Sequence, residues 1–240
     1  MNDQVDGAPD GYGPGDGKRK SNSESFIELV SIVAIALALA LAIQAFVVKP
    51  YKIPSESMVP TLEIGQRVLV NRVEGRFGTP SRGDVVVFNP PAGAETSQCG
   101  VSDGQEYLPG LVYESGGDDL LAAKMPCPRG TPGKFSDAFI KRVVGLPGEE
   151  LKVIRGHVYI NGKQLDEPYI NTRDSCDREG SFSSDCTYSL DITIAPDSYF
   201  MMGDNRNASA DSRIWGPVPK ENLIGNAFMT YWPPKRIGGL

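Results

Sequence analysis

The stretch FIKRVVG, residues 139–145, surrounds a Lys-Arg pair with apolar residues. On a β-strand, where successive side chains point to opposite faces, Lys141 shares a face with Phe139 and Val143, while Arg142 lies on the other. The pattern therefore predicts a strand that carries a lysine in apolar surroundings. From this segment alone, a charge that protects an edge strand from aggregation is an equally good interpretation of Lys141.

Other short segments are likewise rich in Val, Ile and aromatic residues and are separated by Gly, Pro, Asn and Asp. They are QRVLVNR (66–72), DVVVF (84–88), LKVI and HVYI (within 151–160), YSLDITI (188–194), SYFMMG (198–203) and NAFMTYW (226–232). Arg155-Gly156 and Asn161-Gly162 stand where tight turns are expected, and Asn-Gly is a favoured type I′ pair. No helical period of useful length follows residue 48, so we expect a mainly β domain.

A long apolar run, LVSIVAIALALALAIQAFVV at residues 29–48, precedes this domain and carries no charge. As a helix it would span about 30 Å, the thickness of a hydrocarbon core. We expect a single transmembrane anchor at 26–48 and, before it, a disordered cytoplasmic tail at 1–25 that is rich in Gly, Asp and Ser. A cleaved secretory signal is the alternative, although its apolar core usually has about 7 to 15 residues.

Charge and cysteine content exclude other classes of function. The net charge is -6 and the basic block Lys18-Arg19-Lys20 is short, which argues against a nucleic-acid partner. No C-x-x-C spacing occurs and His157 is the sole histidine, so we expect no metal and no cofactor. Four cysteines after the apolar run favour disulfides in an oxidising compartment, pairing Cys176 with Cys186 and Cys99 with Cys127, and free buried thiols are the alternative.

The stretch PSESMVPTL, residues 54–62, offers two serines between prolines. A serine hydroxyl needs a base to become a nucleophile, but His157 lies between two predicted turns, a position typical of a solvated side chain. A lysine serves only when neutral, and neutrality near pH 7 requires burial to lower its pKa by about 3 to 4 units. Lys141 is the lysine whose neighbours could supply that burial.

Four segments resemble the sequence boxes of bacterial type I signal peptidases. They are PSESMVPTL, GDVVVF, KRVVGLPG and GDNRNASADSRIWG, in this order after the apolar run. The resemblance implies that Ser57 is the nucleophile and Lys141 the general base, and that the Ser55 hydroxyl and the Ser57 backbone N–H bind the oxyanion. It also implies that Ser209 orients the lysine and that Asp211 and Arg213 form a supporting ion pair.

The same resemblance implies apolar pockets for a substrate in extended form, and the pocket-lining positions map to Ile53, Met58, Leu62, Phe139 and Ile140. These five residues could equally be plain core. This chain departs from the family pattern at Glu56, where a glycine is common, and at Asn207-Ala208, where Asp-Asn is frequent.

The implied enzyme is a membrane-bound endopeptidase that removes N-terminal signal peptides from secreted preproteins after an Ala-x-Ala site. Its partners would be preproteins and the lipid bilayer, with the secretion translocase nearby and no nucleic acid. It would lie in the bacterial cell membrane as a single-pass protein, with its catalytic domain on the extracytoplasmic side. We also expect Trp215 and the tail at 231–234 to touch lipid headgroups, with a core position for Trp215 as the alternative.

The predicted domain organisation follows from these assignments. An extracytoplasmic peptidase domain occupies 49–240, and its catalytic core comprises about 49–89, 138–148 and 200–232. An insertion rich in Gly, Pro and Ser fills 90–137, and a β subdomain fills about 149–199.

Three other classes fit the sequence less well. A soluble, self-cleaving Ser/Lys peptidase of the repressor type would not need the apolar run. A penicillin-binding enzyme would need S-x-x-K, which does not occur in this chain. A membrane-tethered β module without activity would leave the four boxes unexplained.

Overall fold

The computed structural model describes residues 22–94, 130–170 and 189–240. The chain divides between Ala42 and Ile43 into two compact units. Helix α1, Asn22–Phe46, contains a 19-residue window from Phe26 to Gln44 whose mean hydropathy is 2.7 and of which none is buried. By length and composition it is the one helix in the described ranges that could cross a membrane.

The helix bounds differ from the predicted anchor at both ends. Residues 22–25 are helical rather than part of the tail, and the helix ends at Phe46. Val48 instead begins a strand that pairs with the next strand in the chain. The proline at position 50 has no N–H for a helical hydrogen bond, so the change to a strand costs the helix little.

The described part of the second unit contains twelve strands and two short helices. The strands are β1 (Val48–Lys52), β2 (Arg67–Asn71), β3 (Val85–Phe88), β4 (Phe139–Gly145), β5 (Glu150–Ile154), β6 (His157–Ile160), β7 (Lys163–Gln164), β8 (Ser189–Thr193), β9 (Ser198–Met202), β10 (Val218–Pro219), β11 (Leu223–Trp232) and β12 (Gly238–Gly239). The helices are α2 (Arg72–Phe77) and α3 (Ser212–Trp215). The mainly β fold predicted from the sequence is confirmed.

These strands form two antiparallel sheets. The larger sheet has the order β1-β2-β11-β3-β4-β9-β10, with β12 paired to β11, and the smaller has the order β7-β6-β5-β8. Every segment predicted as a strand is a strand within one to three residues. The turns at 155–156 and 161–162 are also confirmed, because Arg155, Gly156, Asn161 and Gly162 all have positive φ, as a type I′ turn requires.

Four strands were not predicted. β7, β10 and β12 have two residues each, which is too short for an alternating pattern to be recognised. β1 was assigned in part to the membrane span because its first residue continues the apolar run.

One apolar cluster joins the two sheets. Val144, Phe200 and Met202 of the larger sheet pack against residues of β5, β6 and β8, including Leu151 and Leu190. A second cluster lies under the loop that follows β1, and a third surrounds Trp215, which is fully buried. The core position for Trp215 is therefore correct and the headgroup contact is wrong, whereas Trp232 is half exposed.

The four strands of the smaller sheet all lie within 149–199, the range predicted as a β subdomain, and the subdomain itself stays a prediction. β9 begins at Ser198 and belongs to the larger sheet, so the return to the core comes two residues before the predicted boundary at 200. Most of the predicted insertion, 95–129, and all four cysteines lie outside the described residues. The proposed disulfide pairings therefore stay predictions.

The cluster between the sheets predicts that two isoleucines in or next to the smaller sheet differ strongly in their contribution to stability. Ile194→Ala removes a fully buried side chain from this cluster and should lower the free energy of unfolding by about 2–5 kcal/mol. Ile154→Ala, at the half-exposed end of β5, is the matched control and should cost less than about 1 kcal/mol. Chemical unfolding of the full-length protein in detergent micelles measures both, and equal losses would contradict the assignment of the cluster.

Candidate active site

The loop between β1 and β2 carries Ser57 and is held from below by apolar side chains. Ile53, Met58 and Leu62 are each at most 1% exposed and belong to the cluster under this loop. Leu62 N donates to Met58 O at 2.8 Å, which closes a tight turn just after the serine. Ser57 itself is only 5% exposed, so its hydroxyl faces a largely dry environment.

Lys141 reaches this loop from the middle of the larger sheet. β4 lies between β3 and β9, with Lys141 opposite Val86, so the edge-strand interpretation of this lysine is wrong. The side chain is 5% exposed and its Nζ donates to Ser57 Oγ at 2.6 Å. The ring centroid of Phe139, which shares its face of the strand, is 5.7 Å from Nζ.

The surroundings of Lys141 favour a neutral amine. Burial lowers its pKa from 10.5 to about 8; the Asp211 carboxylate opposes this shift, and the Arg213 guanidinium adds to it. This pKa lies above the value of about 7 below which most of the amine would be neutral at pH 7. Roughly one amine in ten is nevertheless neutral at pH 7, against fewer than one in a thousand for an exposed lysine.

The second serine of the loop lies beside the first. Ser55 Oγ is 3.3 Å from Ser57 Oγ, and either hydroxyl could donate. Ser55 is exposed, so its hydroxyl can turn toward an incoming group. His157, by contrast, lies in β6 of the smaller sheet, where its Nδ1 is 3.3 Å from Gln164 Nε2.

An ion pair predicted from the sequence lies at the start of α3. Arg213 Nε and Nη2 donate to the two carboxylate oxygens of Asp211 at 2.8 and 2.9 Å. Gly203 N and Ser209 Oγ also donate to Asp211 Oδ2, at 3.0 and 2.8 Å. Burial alone would raise the pKa of Asp211, but Arg213 and these hydrogen bonds outweigh it, so the pKa lies below its usual value.

Ser209 was predicted to orient Lys141, and its contacts differ from that expectation. Among the described residues, Ser209 Oγ donates to Asp211, and the amine of Lys141 bonds to Ser57. Ser209 is still close to Ser57, because both pack against Gly203. A Cβ on Gly203 would lie 2.3 Å from Ser209 Oγ and 2.4 Å from Ser57 O.

A second buried ion pair was not anticipated. Arg142 donates through Nε and Nη2 to Asp204, at 2.8 and 2.6 Å, and through Nη1 to Gly83 O at 2.6 Å. Thr61 Oγ1, in the loop between β1 and β2 that carries Ser57, donates to Asp204 Oδ2 at 2.5 Å. These bonds connect β4, the loop after β9 and the loop between β1 and β2. The two partners were visible in the sequence, since Arg142 is the second residue of the Lys-Arg pair and Asp204 is the aspartate of GDNR.

Residues that follow β7 of the smaller sheet contact the Arg142–Asp204 ion pair. The Arg142 guanidinium carbon is 4.1 Å from the ring centroid of Tyr169, whose hydroxyl donates to Glu167 at 3.0 Å. Burial is the main reason that the pKa of Tyr169 lies above its usual value, so the hydroxyl stays protonated and keeps donating. Glu167 in turn accepts two hydrogen bonds from Arg206 of the GDNR segment.

The five predicted pocket residues do not all lie together. Ile53, Met58, Leu62 and Ile140 belong to one buried cluster. Phe139 is partly buried and packs against the cluster around Trp215. Four of the five are therefore core residues at the loop that carries Ser57, and their role as pocket residues stays a prediction.

Comparison with known protein families gives a match over most of the chain. The family model described as signal peptidase, peptidase S26, matches residues 26–232. The chain belongs to the type I signal peptidase family. It is therefore a peptidase, with a buried serine and lysine in contact.

Several proteins that are similar to this chain are named signal peptidase I. The probable signal peptidase I-2 of Synechocystis sp. is 37% identical over 196 residues, which cover 82% of this chain and 68% of that protein. The signal peptidase I of Leptolyngbya laminosa is 35% identical over 198 residues, covering 82% and 75%. The crystal structure of a signal peptidase I from Enterococcus faecalis V583 aligns with a TM-score of 0.38 and 23% identity, covering 61% of this chain and 95% of that one.

The close approach at Gly203 predicts a sensitive position in this signal peptidase. Gly203→Ala should displace Ser57 or Ser209 and lower kcat about a hundredfold, since shifts near 1 Å at a reacting group have that effect. Gly238→Ala is the matched control, because a Cβ there meets no atom within 4 Å. Peptide-cleavage assays of both variants test this, and wild-type kcat in Gly203→Ala would contradict it.

Proposed function

We propose that this chain is a membrane-anchored serine endopeptidase that removes the signal peptide of secreted preproteins after an Ala-x-Ala site. Ser57 is the nucleophile and Lys141 is its general base. The observation that carries the proposal is the 2.6 Å contact between Lys141 Nζ and Ser57 Oγ, with both residues about 5% exposed. A lysine in that position needs no histidine partner.

The chemistry divides into two steps. In the first, neutral Lys141 takes the proton of Ser57 as Oγ attacks the scissile carbonyl, and the resulting ammonium gives that proton to the leaving amine. The signal peptide is then bound to Ser57 as an ester. In the second step Lys141 takes a proton from water as the water oxygen attacks the ester carbonyl, and it returns that proton to Ser57 Oγ as the ester C–O bond breaks. The signal peptide leaves with a new carboxylate, and the Ser57 hydroxyl and the neutral amine are restored.

The oxyanion of each tetrahedral intermediate would be bound by the Ser57 backbone N–H and the Ser55 hydroxyl. Exposure of Ser55 and its 3.3 Å distance from Ser57 Oγ support this role, because the hydroxyl is close to the attacking oxygen and can rotate. Donors of this kind commonly contribute about 3–4 kcal/mol each to the transition state.

The Asp211–Arg213 pair would keep the charge balance around the amine. An unpaired aspartate beside Lys141 would favour its protonated form, and the bidentate contact with Arg213 reduces that influence. Ser209 would act through Asp211 and Gly203, on the evidence of its contacts.

Substrate selection would follow from the packed cluster beneath the nucleophile loop. Ile53, Met58, Leu62 and Ile140 are buried in one apolar cluster, so a substrate strand beside Ser57 would meet apolar surroundings, which suit the small apolar side chain of alanine. Phe139 would line the same cleft from the face of Lys141. The preprotein is the proposed partner, with no cofactor.

The location of the enzyme would follow from α1. Its exposed apolar window suits a lipid bilayer. The chain between the end of the helix at Phe46 and Ser57 is short, and even when fully extended it limits the distance of Ser57 from the membrane to a few tens of ångströms. We propose a single-pass protein of the bacterial cell membrane with its catalytic domain outside the cytoplasm. A preprotein emerging from the secretion translocase would reach such a site directly.

Substitution of the dyad tests the proposal. With a precursor that bears an Ala-x-Ala site, Ser57→Ala and Lys141→Met should each lower kcat by about 10⁴-fold or more. Ser55→Ala should lower it by about 10²–10³-fold. Lys152→Met is the matched control, since that lysine lies on the smaller sheet and pairs with Glu150 and Asp191. Full activity in either dyad variant would reject the mechanism.

The depressed pKa predicts the pH dependence. A protonated amine cannot accept the serine proton, so kcat/KM should rise with pH with a midpoint at about 8 and then level off. A bound substrate shields the amine further, so the midpoint of kcat should lie below that of kcat/KM. A flat profile from about pH 5 to 10, with chemistry rate-limiting, would exclude Lys141 as the base.

A further inference from the structure

One residue of the GDNR segment bonds to the backbone on both sides of the nucleophile. Asn205 N donates to Ser57 O at 3.1 Å, and Asn205 Nδ2 donates to Glu56 O at 3.3 Å. Glu56 O also accepts from Val59 N at 3.0 Å. Two successive carbonyls of the nucleophile loop are thus held by a residue far away in the sequence.

These bonds determine where the Ser57 N–H points. The Glu56 carbonyl and the Ser57 N–H belong to one planar peptide group, and in the trans form they point in opposite directions. The cis peptide bonds of the described residues are at Val59–Pro60 and Trp232–Pro233, so the Glu56–Ser57 bond is trans. Holding Glu56 O toward Asn205 therefore aims the Ser57 N–H away from Asn205.

The Ser57 N–H has no hydrogen-bond partner among the described residues. Buried backbone donors without a partner are rare, because each loses its bonds to water and gains nothing in exchange. Ser57 as a whole residue is 5% exposed. A donor that is kept open and aimed beside the attacking oxygen suits a negative charge that exists only during the reaction.

Asn205 can hold this orientation because its own neighbours are fixed. Asp204 is bound to Arg142, and Arg206 is bound to Glu167 and to Gly203 O, the latter at 3.1 Å. Both neighbours are at most 9% exposed. The Asn205 amide is thereby held beside the loop that carries Ser57.

From this geometry we propose that Asn205 is a positioning residue that orients the Ser57 N–H as an oxyanion donor. The proposal rests on the proposed function, since it requires an acyl transfer at Ser57. The side-chain amide is essential because it donates to a carbonyl, and a carboxylate in its place would repel that carbonyl.

Two variants and a matched control test the role of the amide. Asn205→Ala and Asn205→Asp should lower kcat by about tenfold or more, with the aspartate at least as impaired as the alanine. KM and the pH midpoint of kcat/KM should stay at the wild-type values, because neither the substrate strand nor Lys141 is touched. Gln164→Ala, which removes an exposed side-chain amide on β7 of the smaller sheet, should keep wild-type kcat. Thermal unfolding verifies that all variants are folded.

The decisive measurement uses two inhibitors that differ only at their ends. A peptide aldehyde ending in Ala-x-Ala forms a hemiacetal when Ser57 Oγ adds to its carbonyl carbon and the serine proton passes to the former carbonyl oxygen. That oxygen occupies the oxyanion position, whereas the corresponding peptide alcohol has no carbonyl and reports ground-state binding alone. In the Asn205 variants the aldehyde should bind about tenfold more weakly, in proportion to the loss of kcat/KM, and the alcohol should bind as to the wild type.

The outcomes separate this inference from the function on which it rests. Equal weakening of aldehyde and alcohol, or no weakening of either, would overturn the role of Asn205. Wild-type binding of the aldehyde by Ser57→Ala, together with retained cleavage, would instead overturn Ser57 as the nucleophile.

Discussion

The contact between the Lys141 amine and the Ser57 hydroxyl depends on keeping water away from a group that normally carries a charge. A charged ammonium loses much of its hydration when buried, so the sheet shifts the equilibrium toward the neutral amine. That effect requires an interior strand. β4 supplies it, because β3 and β9 cover its two edges and apolar clusters pack against it.

Two ion pairs surround this dry contact without placing an unpaired charge against it. Asp211 and Arg213 neutralise each other at the start of α3, and Asp204 and Arg142 do so between β4 and the loop after β9. Each carboxylate is at most 1% exposed, and breaking a buried pair by removing one partner leaves an uncompensated charge. The pairs therefore organise the loops that meet at Ser57 while leaving the amine free to lose its proton.

Local patterns made much of the fold predictable. Alternating Val, Ile and aromatic residues identified the longer strands of the β domain, and two dipeptides ending in Gly identified tight turns that have positive φ. Two-residue strands escaped because pairing alone defines them, and β1 escaped because its first valine extends the apolar run. Lys141 was recognisable from its neighbours, but the choice between an edge and an interior strand was not, since it depends on which strands pair with β4.

The candidate site likewise has residues that were predictable from the sequence and contacts that were not. Ser55, Ser57, Lys141, Asp211 and Arg213 were found from segment resemblance, and the structure brings them together. The bond from Asn205 to Glu56 and the contact of Arg142 with Tyr169 gave no local signal, because each joins segments that are distant in the chain.

By itself the sequence determined an apolar span, a set of strands with their alternating faces, and a lysine with apolar neighbours, because each of these depends on residues within a few positions of one another. The tertiary structure alone decided that Lys141 Nζ meets a serine 84 residues away, that the amine is dry enough to lose its proton, and that the Ser57 N–H is left open. Burial and hydrogen-bond direction depend on atoms that only folding brings together, so no local pattern can contain them.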